Sequence, residues 1–368
     1  MWPYYSYYII VVTFFLFIIT MKSINKDSDF IFGIFFVIAV GFFWGARSEY
    51  VGTDTIPVYK AWFTSSTTYI TQLKNGSKEA GFVLFSLIIK LLSFDNYRIY
   101  MLSVSFVVAI LWFFAFRSNK FFPIAGFAYM VTQHFFITSC TNIIRQGIAM
   151  ALGGLAITFL FNNKKAYFFA LVILAVFFHY SAILLLMYFV FSKIRISPFL
   201  SIVFVALAIC LIFFPSTDTV SNVYTIIVKQ LPLPNVIKWR AINYLKNQNN
   251  AIISYGFFLS LAVTIFLIIL RGKIEANNAI QSRILINGML FYVLISILFS
   301  FNEVLFRLTM YFYIVEFLAI PVILYSLFEI IPRYKMAILV LFISFLMLSS
   351  MKTIYSLRGT KFMEPYFS

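Results

Sequence analysis

Apolar stretches long enough to cross a bilayer recur from one end of this chain to the other. A helical crossing takes about 17–25 predominantly apolar residues. Runs of that order stand at Tyr4–Met21, Phe30–Ala46, Phe199–Phe214, Ala251–Leu270 and Ile284–Ser300. Of the 368 residues 62% are hydrophobic and 11% charged, where a soluble domain carries about 25% charged residues. No soluble core can bury that much apolar surface, so lipid must be the solvent. The expected fold is an all-α integral membrane protein, a polytopic helical bundle of about 12–13 transmembrane segments. Helices are expected at about 4–21, 30–46, 98–116, 121–139, 143–161, 166–178, 180–192, 198–214, 251–270, 284–300, 307–328 and 336–351. A further apolar stretch, Phe82–Phe94, carries Lys90 and is barely long enough to span. The first run lacks a basic leader and a small-residue cleavage site, so it reads as a retained helix.

The net charge of +16 raises nucleic acid as a partner, but the basic residues sit in short loops between apolar runs. Arg117/Lys120, Lys164/Lys165, Lys193/Arg195, Arg271/Lys273/Arg283 and Arg333/Lys335 each close one hydrophobic hairpin. That is the pattern of loops retained on the cytoplasmic side, and no nucleic-acid partner is expected. Cys140 and Cys210 have no partner nearby in sequence, which argues against a structural disulfide or a cysteine metal site.

No internal repeat of solenoid type and no soluble appendage is visible, so residues 1–368 read as a single transmembrane domain. Its two long hydrophilic loops, 47–80 and 215–250, are expected on the extracytoplasmic side. Anchoring the basic loops inside puts Thr141–Arg145, His179, Asn302–Arg307 and the tail after Lys352 on that same outer side. The loop at 47–80 lies outside only if Phe82–Phe94 is a short or re-entrant helix.

Ionisable groups at membrane depth are costly and therefore mark functional sites by default. His179 interrupts an otherwise continuous apolar run, Ala166–Phe191, and predicts two short helices meeting at a polar bend. A plain alternative is a helix-end histidine bonded to a carbonyl. His134 could be a packed interior residue. Arg145 and Gln146 open the run Ile148–Phe161, where an arginine can simply snorkel to the interface. Arg307 follows Glu303 by four residues and could pair with it on one helix face. Arg47 precedes Glu49 and the run Val51-Gly52-Thr53-Asp54-Thr55. Three arginines directed to one membrane face would suit a diphosphate group, because guanidinium forks onto phosphate oxygens. The sequence holds no nucleotide-binding glycine loop, no zinc spacing and no serine-hydrolase elbow. Candidates for a general base are Asp54, Glu49, Glu79, His179 and Glu303, and the sequence leaves the choice among them open.

These residues fall into an ordered set. Arg47-x3-Val51-Gly52-Thr53-Asp54-x4-Tyr59 is followed by Glu79-x-Gly81-Phe82 and by Ile144-Arg145-Gln146-x-Ile148-Ala149. Then come Phe178-His179-x-Ser181-Ala182, Phe306-Arg307-Leu308-x2-Tyr311-Phe312 and Glu364-Pro365-Tyr366. In order and spacing the set resembles the EpsG-like family of polysaccharide polymerases, related in role to the Wzy-type O-antigen polymerases. One departure is Ala80, where the family usually has proline after the acid. That change bears on a helix-start preference more than on chemistry.

The resemblance implies a glycosyltransferase of GT-C-like fold in a bacterial inner membrane, with its active site facing the periplasm. The growing chain on undecaprenyl diphosphate would pass to the sugar of a new lipid-linked repeat unit. Membrane lipid and a chain-length regulator are the implied partners, with no cofactor and no metal. Catalytic roles are implied for His179, Asp54, Arg145 and Arg307. Substrate contacts are implied for Arg47, Tyr59, Glu79, Gln146, Tyr311 and Tyr366, and are expected also for Glu303, beside Arg307, and for Arg240 in the loop at 215–250. The competing readings are an O-antigen ligase using the same donor, a flippase or other transporter of lipid-linked oligosaccharide, and a membrane acyltransferase.

Overall fold

Long apolar segments fold as helices because lipid offers backbone N–H and C=O groups no partner outside the chain. The computed structural model describes residues 28–52, 54–64, 79–119, 123–213, 255–300 and 302–357, with 71, 222, 225–226 and 229–230 as isolated positions. These residues are helical and contain no strand. The expected first helix at 4–21, most of the 215–250 loop including Arg240, and Tyr366 lie outside the described residues.

The helices are α1 Ser28–Gly45, α2 Ala61–Thr64, α3 Ala80–Leu92, α4 Tyr97–Ser118, α5 Pro123–Val131 and α6 His134–Thr141. They continue as α7 Ile144–Phe161, α8 Lys165–Phe178, α9 Met187–Lys193, α10 Pro198–Phe213 and α11 Tyr255–Ile269. The rest are α12 Arg271–Asn277, α13 Ala279–Leu298, α14 Glu303–Ile330 and α15 Lys335–Leu357. A π-helical stretch, Thr55–Lys60, leads into α2, and a 3-10 stretch, Tyr180–Leu186, links α8 to α9. Among the described residues, five helices are long and apolar enough to cross a membrane, six if α11 and α12 count as one span bent by 67°. The protein is a multi-pass, all-α membrane protein. Within the described residues, some of the expected runs are broken or short. The expected helix at 121–139 becomes α5 and α6, and α3 has 13 residues. That is about 20 Å of helix against a hydrocarbon core of about 30 Å.

By its contacts the chain forms two compact units, Met1–Leu186 with Ile320–Ser368, and Met187–Ala319. In the first, α4 packs against both α1 and α7, and α7 against α8. Trp44, Tyr100, Trp112 and Phe116 are completely enclosed there. The break between α5 and α6 frees backbone groups inside this apolar packing, and α15 meets one of them and ties down the Gln133 side chain beside it. Thr353 Oγ1 donates to the Thr132 carbonyl at 2.9 Å, and Gln133 Nε2 donates to Ser349 Oγ at 2.8 Å. Neighbouring helices re-pair broken backbone in lipid in this way.

The second unit uses the same device. Asn287 Nδ2 on α13 donates to the Phe191 and Ile194 carbonyls at the end of α9, at 3.0 and 2.8 Å. The Tyr188 hydroxyl donates to the Tyr311 and Phe312 carbonyls of α14, at 3.0 and 3.2 Å. Arg271 closes on the Ile196 carbonyl at 2.9 Å and on Ser201 Oγ at 3.0 Å. A buried carboxylate, Glu316, accepts a hydrogen bond from Ser260.

Candidate functional site

Three segments of the first unit bring one carboxylate, one guanidinium and one imidazole together. Glu79 is the N-cap residue of α3, with extended backbone at φ −66° and ψ 135° and no side-chain bond to its own helix. Its side chain turns instead to two partners. One carboxylate oxygen bonds the Arg145 guanidinium, and the other lies 2.8 Å from His179 Nδ1. Both partners are distant in sequence, 66 and 100 residues away.

The local chain explains how each group arrives. His179 ends α8 with extended backbone, φ −158° and ψ 119°. Its N–H closes the last turn on the Ala175 carbonyl at 2.9 Å, and its own carbonyl accepts from Ala182 N at 2.9 Å to start the 3-10 stretch. The polar bend expected at this residue is therefore present. Gly81 permits the approach of α3 to α8: a Cβ there would lie 2.9 Å from the backbone carbonyl of Phe177. Arg145 stands in the first turn of α7, where Gly147 leaves no room for a Cβ against Ser139 of α6. A cation at a helix N-terminus opposes the helix dipole, and the Glu79 carboxylate compensates it.

Tyr59, at the end of the π-helical stretch, completes the group. The stretch begins at the Asp54 carbonyl, which accepts from both Val58 N at 3.1 Å and Tyr59 N at 3.0 Å. The Tyr59 phenol oxygen lies within electrostatic and hydrogen-bonding reach of the Arg145 guanidinium and the Ile144 backbone N–H. Burial pushes this phenol up to about 12, with the Arg145 charge opposing the rise and the Asp54 charge adding to it. Asp54 is half-buried and within electrostatic reach of the hydroxyl. Aromatic rings floor the group. The Arg145 guanidinium lies 5.9 Å from the Phe82 ring centroid, Trp62 packs on Phe82 at 5.1 Å, and Phe85 on Phe178 at 6.0 Å.

Exposure divides the roles. The Glu79 side chain is 5% exposed, whereas those of Arg145 and His179 are each 26% exposed. An incoming molecule can reach the cation and the ring but not the carboxylate between them. Burial alone would raise the Glu79 carboxyl, but the His179 hydrogen bond and the Arg145 charge outweigh it and hold it at about 2. It is an anion at any physiological pH.

The other sequence candidates are placed as follows. Arg47, just past the end of α1, is 3% exposed and donates to the Trp44 carbonyl in the last turn of that helix, within electrostatic reach of Tyr97 and Cys140. Arg47 is thus buried, where Arg145 is partly exposed. Glu49 pairs with Lys60 at 2.6 Å. Gln146 is buried beside Arg145, and His134 is exposed in the first turn of α6, not packed in the interior. Glu303, Arg307 and Tyr311 belong to α14 in the second unit. There Glu303 begins the helix, Arg307 is half-buried and Tyr311 is fully buried. Sequence reasoning passed over Trp62 and the Ile144 N–H. Trp62 sits in what reads as a plain loop, and no side-chain signal marks a backbone donor. Among the described residues, no three His, Cys, Asp or Glu side chains gather as metal ligands do.

No curated protein and no solved structure matches the chain. A family model does, over residues 30–368, and those residues include every element of the site just described. The protein belongs to the EpsG family and is a multi-pass membrane protein concerned with polysaccharide synthesis.

Proposed function

We propose that the protein is a bacterial inner-membrane polysaccharide polymerase, a glycosyltransferase whose donor is a glycan on undecaprenyl diphosphate. The acceptor is the non-reducing sugar of a new lipid-linked repeat unit, and the reaction takes place at the periplasmic face. The observation that carries this reading is the shared Glu79 carboxylate, which holds a partly exposed guanidinium and a partly exposed imidazole side by side.

In this mechanism the acceptor hydroxyl oxygen attacks C1 of the donor's reducing-end sugar. Its proton passes to His179, the bond from C1 to the diphosphate oxygen breaks, and the electron pair leaves with the lipid diphosphate. The leaving group carries its own activation, so no nucleotide is required. Arg145 meets the charge that develops on the departing oxygens, and fixed donors aimed at developing charge supply a large share of catalysis. Tyr59 lies beside the guanidinium and helps to hold it in place. Trp62, half-buried over the enclosed Phe82, offers a ring face near the site, and flat apolar rings suit the faces of sugars. Glu303, Arg307, Arg240 and Tyr366 are proposed to contact substrate, whereas Tyr311 is fully buried and serves packing. A GT-C-like arrangement and association with a chain-length regulator belong to the same reading.

Purified protein in liposomes, supplied with the undecaprenyl-diphosphate-linked repeat unit alone, tests it. Polymer of increasing length is expected, together with free undecaprenyl diphosphate. Transfer only after lipid A core is added would make the protein a ligase. Movement of intact repeat units across the bilayer without new glycosidic bonds would make it a flippase.

A further inference from the structure

The contact between His179 Nδ1 and Glu79 has a direction. An ionised carboxylate accepts hydrogen bonds and has no proton to give. A 2.8 Å contact is therefore a hydrogen bond only when Nδ1 carries the proton. In a neutral imidazole the other nitrogen, Nε2, then holds the free lone pair. The carboxylate is well built for this task. It is 5% exposed, so water does not compete for it, and its second oxygen is pinned by Arg145. The backbone crossing at Gly81 and Phe177 fixes the two elements that carry the pair.

From this geometry we infer that Glu79 is a positioning residue: it locks His179 as the Nδ1–H tautomer, so that Nε2 is the atom that takes the acceptor's proton. The inference rests on the polymerase reading for what the lone pair does, but not for where the proton sits. It also separates Glu79 from substrate binding. The carboxylate acts through the ring and the guanidinium, on opposite oxygens, and couples the general base to the group that meets the leaving diphosphate.

Replacement by glutamine makes the distinction sharp. A glutamine side chain has one oxygen and one NH2, and the charged guanidinium claims the oxygen. The NH2 then faces His179, Nδ1 must become an acceptor, and the proton moves to Nε2, leaving no lone pair toward the acceptor sugar. General bases contribute about 10²–10⁴-fold to rate, so turnover of the lipid-linked repeat unit should fall at least about 100-fold.

The chain has two histidines, which makes the proton directly observable. Protein labelled with 15N-histidine in lipid nanodiscs gives separate signals for protonated and unprotonated ring nitrogens, and a His134→Gln sample assigns those of His179. Wild type should show a protonated Nδ1 and a bare Nε2. Glu79→Gln should reverse them and lose turnover together. Glu79→Asp retains an acceptor-only group, and should keep the wild-type spectrum with intermediate turnover; it also carries the test if the glutamine variant fails to accumulate. A wild-type Nε2–H tautomer, or a Glu79→Gln variant with an unchanged spectrum, overturns the inference. So does a Glu79→Asp variant that shows the Nε2–H tautomer. A wild-type Nδ1–H tautomer in protein that makes no polymer supports the positioning geometry and overturns the polymerase reading instead.

Discussion

At the scale of single residues, Arg145 and Glu79 answer different questions. Arg145→Ala should lower polymer formation per amount of folded protein by about 10²–10³-fold, the usual effect of deleting one donor to developing charge. Arg145→Lys should fall between the variant and wild type, because an ammonium retains charge but cannot fork onto both Glu79 and a phosphate. Equal activity in Arg145→Ala and wild type would return this arginine to a structural role. Glu79 also sets a pH dependence of stability. Its carboxyl is held at about 2 against an ordinary 4.5, so the folded state binds its proton less readily than the unfolded chain. The stabilisation is complete above about 4.5 and fades as pH falls toward 2. Thermal unfolding in nanodiscs should place Glu79→Gln below wild type by about 1.5–3 kcal/mol at neutral pH, with the gap closing below about pH 4.5. A gap that widens on acidification would contradict the ionised carboxylate. Sequence reading found Arg145, His179 and Glu79 because ionisable groups are conspicuous among apolar residues. It did not find that one carboxylate holds the other two, since the pairs span 66 and 100 residues. Nothing along the chain marks such a separation.

Elements were legible where a polar residue interrupts an apolar run and obscure where the backbone itself changes. The bend at His179 was readable from its place in Ala166–Phe191, and α7 from the run after Arg145. The break between α5 and α6 was not, because Thr132 and Gln133 are mild polar residues whose polar groups are matched by Thr353 and Ser349 more than 200 residues later. The π-helical stretch Thr55–Lys60 was equally hidden. It has no composition of its own, and its wide turns are rare outside functional sites. Between elements, the crossing of α3 and α8 at Gly81 is the most demanding contact. Gly81→Ala would press a methyl onto the Phe177 backbone, which cannot yield as a side chain end can. It should cost about 1–3 kcal/mol as overpacking and lower turnover further by moving Glu79 away from His179. Thermal unfolding and polymer assay on the same preparation check both effects. Stability loss with full turnover would show that the site tolerates the shift.

For the whole molecule, alternating basic loops predict which side each part faces. Single cysteines at 145, 179 and 307, in a chain without Cys140 and Cys210, should react in intact cells with an impermeant maleimide. Cysteines at 193 and 273 should react only after the inner membrane is opened. Labelling of position 145 or 307 from the cytoplasm alone would remove the proposed site from the periplasmic face. The separations within the site also bear on how the protein is made. At about 5–20 residues per second of synthesis, the 66 residues between Glu79 and Arg145 leave the carboxylate without its cation for roughly 3–13 s. Its helix, about 20 Å long, is too short to draw it through the bilayer in that interval. Glu79 can wait in water at the membrane surface until Arg145 and His179 emerge, so the shortness of α3 makes the order of birth safe for a charge that ends up buried.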